Sequence, residues 1–167
     1  IQDILKILRP LSKTLDYLHE KAIVHGDLKP ENILLRKNRT DGSFQPFVND
    51  YGISKIASVT DTLYTNNNVL LGKLNYLAPE IIENKPPSPT ADVYSLGVII
   101  YEAMEGKTPF DAKSLSALIK QKLDDYVPAP INLLKNGGIR AARVLLKALN
   151  VNPERRQNSA SALVSQL

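Results

Sequence analysis

The stretch from Ala91 to Glu105 constrains this chain most. Read as a helix, it is apolar on nearly every side: Val93, Leu96, Val98, Ile99, Ile100, Ala103 and Met104. A helix with no polar face has to be buried, so the remaining chain must wrap it. Pro86, Pro87 and Pro89 break the chain just upstream, and Thr90 is placed to cap the helix start. Gly106 is placed to end it.

The cover is also mostly helical. Ile4, Leu8, Leu11, Leu15 and Leu18 recur at three- and four-residue steps, the stripe of a half-buried helix. Pro10 falls inside that stripe and is expected to kink it or mark its effective start. Three further amphipathic helices are expected near 113–124, 138–150 and 159–167. Ile33–Leu35 and Phe47–Val48 read as short strands, joined as a hairpin by the polar run Lys37–Gln45 with its Asp41-Gly42 turn. Residues 53–76 show no period and carry Asn66-Asn67-Asn68, which reads as a long functional or mobile loop. The expected fold class is mainly α with a small β-hairpin element, in one domain without an internal linker.

Composition removes several function classes. The chain has 167 residues, enough for one domain with a sizeable core. Zero Cys excludes disulfides and thiolate metal sites and fits a reducing compartment. No apolar run reaches the length of about 18 residues that a membrane span needs. No signal-peptide pattern opens the chain. The net charge is only +4, and its Lys and Arg are scattered, which argues against nucleic acid as a partner.

The chemistry concentrates at His25-Gly26-Asp27-Leu28-Lys29-Pro30-Glu31-Asn32-Ile33-Leu34-Leu35. A carboxylate, an ammonium and an amide stand at offsets of zero, two and five, just before an apolar β-branched run. Phosphoryl transfer uses such a set: a carboxylate to orient a hydroxyl, a cation for developing charge, an oxygen ligand for Mg²⁺. Asn49-Asp50-Tyr51-Gly52 adds an acidic turn one hairpin later, and Ala78-Pro79-Glu80 follows. Taken singly, Asp27 and Asp50 would read as turn formers, Lys29 as a surface lysine and Leu34 as a core strand residue.

In this order the motifs resemble those of the eukaryotic-type protein Ser/Thr kinases, with a similarity to bacterial members. His25 to Asn32 matches H-R-D-L-x-x-x-N, Asp50-Tyr51-Gly52 matches D-F-G, and Ala78-Pro79-Glu80 matches A-P-E. Asp92-Val93-Tyr94-Ser95-Leu96-Gly97 and Asn152-Pro153-Glu154-Arg155-Arg156 resemble the family's central helix and closing Arg motif. The resemblance implies a kinase C-terminal lobe over 1–167, with a catalytic loop about 23–35, an activation segment about 50–80 and a helical subdomain about 90–167. It also implies that the N-terminal β-rich lobe is absent: no Gly-rich loop and no V-A-I-K-like lysine precede the site, and position 1 is not Met, as in a fragment.

The roles implied are specific. Asp27 is the base or hydroxyl orienter, and Lys29 reaches the transferring phosphate. Asn32 and Asp50 hold Mg²⁺, with Mn²⁺ as a substitute. Leu34 floors the adenine of ATP. His25 and Tyr51 stack in a buried column, Glu80 pairs with Arg156, and Asp92 accepts N–H groups of the catalytic loop. The implied partners are ATP, a protein substrate and the missing lobe, with no membrane contact by this segment. The implied location is cytoplasmic, a membrane anchor elsewhere in the parent being compatible with it.

Two departures bear on regulation and substrate. Gly26 stands where the family has Arg, which argues against switching by phosphorylation at Ser58, Thr60, Thr62 or Thr65, even with Lys55 as a remnant basic position. Lys73 stands where Ser/Thr kinases place Thr, where it would pair with Asp27 or crowd Lys29. Two other functions compete. One is a non-catalytic, pseudokinase-like binding module. The other is an aminoglycoside- or choline-kinase-like small-molecule phosphotransferase, which His-Gly-Asp favours and Lys29, Ala78-Pro79-Glu80 and Asp92–Gly97 oppose.

Overall fold

A computed structural model describes residues 2–50, 72, 74–124 and 126–167. The architecture is mainly helical, with one two-stranded antiparallel sheet. Helix α1 runs Gln2–Glu20 and buries Leu5, Leu8, Leu11 and Leu15. It passes through Pro10, so the proline is not its start. One missing N–H is tolerable in a helix of this length whose apolar face is held by tertiary packing.

A 3₁₀ turn, Pro30–Asn32, leads into β1, Ile33–Lys37. Strand β2, Phe44–Val48, pairs with it in the register Ile33 to Val48 through Lys37 to Phe44. Both strands are longer than their apolar cores, because the ladder takes in Arg36, Lys37, Phe44 and Gln45. A short helix α2, Pro79–Ile82, precedes the central helix α3, Pro89–Glu105. Ser88, not Thr90, is the N-cap residue of α3, and Pro89 takes the first helical position, where a missing N–H costs nothing. Gly106, at φ +76, closes α3 in the left-handed conformation.

Helix α4, Leu115–Leu123, is capped by the Ser114 side chain. Helix α5, Ile131–Ala148, starts a full seven residues before the expected 138 and is interrupted at Gly138, where φ is +77. Its N-terminus is capped from a distance: Asn132 and Leu133 donate their N–H groups to the Glu105 carboxylate at the end of α3, at 3.1 and 2.9 Å. A second 3₁₀ turn, Pro153–Arg155, precedes α6, Ala160–Gln166.

The apolar reading of α3 is correct: from Ala91 to Val98 every residue is buried. One continuous core surrounds it, drawing on α1, α2, α4, α5 and α6. Gly97 permits the closest approach, since a Cβ there would stand 3.2 Å from the Ala148 Cβ and the Leu149 Cδ2. Helix α1 is tied to α6 by Asp16, whose carboxylate accepts the N–H groups of Ala160 and Ser161 at 2.9 and 3.1 Å. Among the described residues no helix is long and apolar enough to cross a membrane.

Candidate active site

The site is built where the turn after α1 meets the end of the hairpin. Asp92, near the start of α3, is wholly buried and organises it. Its Oδ1 accepts the Gly26 N–H at 2.8 Å, and its Oδ2 accepts the His25 N–H at 2.9 Å. The His19 ring adds a third donor, Nε2 to Oδ2 at 2.7 Å. A buried carboxylate without partners would be very costly, and here all its contacts come from the segment that leads to Asp27. Gly26 adopts φ +74, a backbone that side-chain-bearing residues rarely take, so the glycine suits this turn.

His25 joins the two acidic turns. Its buried ring donates from Nε2 to the Asn49 carbonyl at 2.9 Å. That bond fixes the tautomer, leaving Nδ1 to accept the Asp27 N–H at 3.3 Å. The Asn49 N–H donates to the Asn32 carbonyl at 2.9 Å, which carries the hairpin ladder one pair further. The turn bearing Asp27 and Asn32 is thus fastened to the residue next to Asp50. Asp50 itself is exposed and holds φ +57, a strained backbone that Asp tolerates better than most residues.

Within the first turn, Lys29 Nζ donates to Asp27 Oδ2 at 2.7 Å. The Asp27 side chain is 41% exposed and that of Lys29 is 13% exposed, so the acid faces solvent while the lysine lies against the protein. Asn32 is buried and donates from Nδ2 to the Asp27 carbonyl at 2.9 Å. That contact commits its amide nitrogen and leaves Oδ1 as the atom for a cation. Leu34 is on β1 opposite Phe47, and half of its surface is open. Four of the five singled-out residues therefore lie on one continuous turn and strand, and the fifth follows their hydrogen-bonded neighbour.

The Glu80–Arg156 pair is present and complete. Arg156 Nη1 and Nη2 donate to Glu80 Oε1 and Oε2, each at 2.7 Å. The remaining guanidinium N–H groups go to the carbonyls of Asn150, Thr90 and Val151 at 2.8, 3.0 and 3.1 Å. All five donors are used, and the guanidinium lies 4.8 Å from the centre of the Tyr94 ring. The pair locks α2 to the turn before α6.

Sequence reasoning missed three polar residues that the structure puts to use. His19 looks like any polar residue at a helix end. Asp16 gives no local sign that it caps a helix far along the chain. Lys122 is legible in principle, because it falls on the same face of α4 as Leu115 and Leu118, seven residues on from the first and four from the second. Tyr51, Gly52, Lys55, the Ser/Thr cluster and Lys73 lie outside the described residues.

Comparison with known proteins bears on the family and the fold. The family model described as the protein kinase domain matches residues 1–167. A probable serine/threonine-protein kinase of Clostridium acetobutylicum is 33% identical over 157 residues, covering 94% of this chain and 23% of the relative. The serine/threonine-protein kinase pkn3 of Myxococcus xanthus is 32% identical, covering 97% and 31%. PknL of Mycobacterium tuberculosis is 32% identical, covering 98% and 39%. The crystal structure of Rad53 1–466 in complex with AMP-PNP superposes with a TM-score of 0.72 at 25% identity, covering 99% of this chain and 39% of that one. The chain thus spans less than half the length of each of these proteins.

Proposed function

The chain belongs to the protein kinase family, and from that premise we propose that it is the catalytic half of an ATP-dependent Ser/Thr kinase. It would transfer the γ-phosphoryl group to hydroxyls of a protein substrate. The observation that carries this reading is the His25 bridge, which fastens the Asp27 turn to the Asn49 carbonyl beside Asp50. Two acidic turns separated by a hairpin are held together by one buried ring.

In this reading Asp27 orients the acceptor hydroxyl and takes up its proton on the oxygen that Lys29 leaves free. Lys29 supplies positive charge beside that oxygen. Asn32 Oδ1 and the Asp50 carboxylate are hard oxygen donors, which is the donor type Mg²⁺ prefers. Among the described residues no group of three or more His, Cys, Asp or Glu side chains could hold a metal alone. A two-oxygen protein set fits an ion that takes its other ligands from water and phosphates. When bound, Mg²⁺ or Mn²⁺ would neutralise charge on the phosphates of ATP. Leu34 would lie under the adenine, and a β-rich lobe would close over the hairpin from above. For this segment we propose a cytoplasmic location.

The test is Asp27→Asn and Asp50→Asn in the full-length protein. Each exchange keeps the shape and removes the charge. Phosphotransfer from ATP falls by about 10²–10⁴-fold in Asp27→Asn, while thermal unfolding stays unchanged. Wild-type turnover in either variant would refute the assignment.

A further inference from the structure

Lys122 stands apart from the Asp27 turn, yet it is held as carefully. It is fully buried on α4, and among the described residues it forms no ion pair. The carboxylate of this region, Glu80, is engaged at both oxygens by Arg156. Instead, Lys122 Nζ donates to the Asn75 carbonyl at 2.8 Å and to the Tyr94 hydroxyl at 3.2 Å. The nitrogen also lies 4.8 Å from the ring centres of both Tyr94 and Phe110. An apolar residue would occupy this place at less cost in desolvation. What the lysine adds is reach and donors toward one backbone carbonyl.

That carbonyl belongs to Leu74–Ala78, a short strip leading into α2. Its backbone groups need partners, and the helical body supplies them. Ser95 Oγ donates to the Tyr76 carbonyl at 2.8 Å, and the Tyr76 hydroxyl donates to Glu102 at 2.6 Å. Ser95 lies one helical turn beyond Asp92, the residue that braces the Asp27 turn. Successive turns of α3 therefore hold the strip and the catalytic turn side by side. Glu31, next to Asn32, is also near enough to Tyr76 for its charge to help keep that phenol protonated, after burial and Glu102. In the phosphotransfer reading, a chain offering a hydroxyl to Asp27 would therefore pass beside this strip.

Resting on the phosphotransfer reading, we infer that Lys122 is a positioning residue for the acceptor protein: through Asn75 it fixes the strip Leu74–Ala78 that borders the Asp27 turn. The groups assigned to nucleotide and metal are held by other bonds, through His25 and Asn49. Loss of Lys122 therefore shows in acceptor handling and not in ATP handling. A neutral amine and an ammonium both have enough hydrogens for the two acceptors, so the hold on Asn75 does not depend on charge.

The experiment uses the full-length protein with Lys122→Met, Lys122→Gln and Lys122→Arg. One arm is amide hydrogen exchange at Leu77, Ile81 and Ile82. The other is steady-state kinetics with ATP and a degenerate Ser/Thr peptide library. In Lys122→Met those amides lose protection about tenfold, while α1 and α5 keep theirs. The apparent KM for the library rises about fivefold or more, and the KM for ATP moves less than about twofold. Lys122→Arg recovers most of both effects, and Lys122→Gln, with shorter reach, behaves like Met. Unchanged exchange at residues 74–82 in both Met and Gln variants overturns the inference. So does a parallel rise of both KM values, or loss of protection throughout, either of which marks a packing residue only. A wild-type protein that transfers nothing to the library refutes the phosphotransfer reading itself, and the exchange arm then still reports whether Lys122 holds Asn75.

Discussion

Two buried cations near one tyrosine ring behave in opposite ways because only one has an anion. Arg156 has a bidentate carboxylate and three carbonyls, so its charge is compensated. Removing one partner of such a pair leaves a charge stranded in low dielectric, at a cost of about 3–5 kcal/mol. Glu80→Gln is therefore expected to lower stability by about that amount, and the double variant Glu80→Leu with Arg156→Met by clearly less. Denaturant unfolding of these variants beside the wild type and the Glu80→Leu and Arg156→Met single variants checks it, and additive losses would contradict it. Lys122 has no carboxylate, and burial holds its affinity for a proton well below the usual lysine value of 10.5, with Arg156 lowering it further and Glu80 opposing. The folded state then binds fewer protons than the unfolded state between that depressed value and 10.5, so stability rises with pH across this window. Lys122→Met removes this slope, whichever protein is the more stable at neutral pH. Unfolding temperatures from about pH 7 to about 9.5 check it, below the range where the tyrosines titrate. Parallel curves would show that Lys122 keeps an ordinary affinity for its proton.

The same separation of causes works for the elements, through two glycines of α3, one inside it and one at its end. A Cβ on Gly106 meets nothing within 4 Å, so Gly106→Ala tests only the left-handed backbone at the helix end. The expected loss is about 1–2 kcal/mol. Gly97→Ala keeps helical geometry but sets a methyl 3.2 Å from Ala148 and Leu149, so these neighbours must give by a few tenths of an ångström. That costs about 1–3 kcal/mol by overpacking, and Ala148→Gly in the same chain recovers part of it. A Gly106 variant rescued by Ala148→Gly would undermine the distinction. Elements of this kind show how far the sequence can be read. Helix α3 and the stripe of α1 are legible because their burial follows from apolar content and the helical period. The first turns of α5 are not, because Asn136-Gly137-Gly138 reads as a stop while the structure kinks there and continues, with the start capped by Glu105 from another helix. The candidate site divides the same way. Asp27, Lys29 and Asn32 share one turn, so their grouping is legible from their offsets. The ties of Lys122 to Asn75 and of Asp16 to α6 join distant parts of the chain, and no local pattern encodes them.

At the scale of the molecule, the hairpin leaves apolar surface uncovered. Leu34, Leu35, Phe44 and Phe47 are between 39% and 51% exposed. The register sets Leu34 beside Phe47 on one face of the ribbon and Leu35 with Phe44 on the other. Exposed apolar side chains on a two-stranded hairpin, which has little stability of its own, belong at an interface. In the proposed reading the Leu34 face carries the adenine, and a covering lobe closes over the hairpin. The helical body already braces Asp27, Asn32 and the strip at Asn75, but among the described residues nothing reaches over Leu34 from the other side. Phosphoryl transfer depends mostly on holding the reactants in line, and losing that hold removes much of the rate. The 167-residue chain alone is therefore expected to fold, by far-ultraviolet circular dichroism and a cooperative melt, yet to transfer phosphate at least ~10³-fold more slowly than the full-length protein. Its hairpin should bind a hydrophobic dye that the full-length protein excludes, and Leu35→Glu with Phe44→Glu should reduce that binding without lowering the melt. Transfer by the isolated chain at the full-length rate would mean that one lobe suffices to position ATP, and that the open hairpin face needs no covering lobe for catalysis.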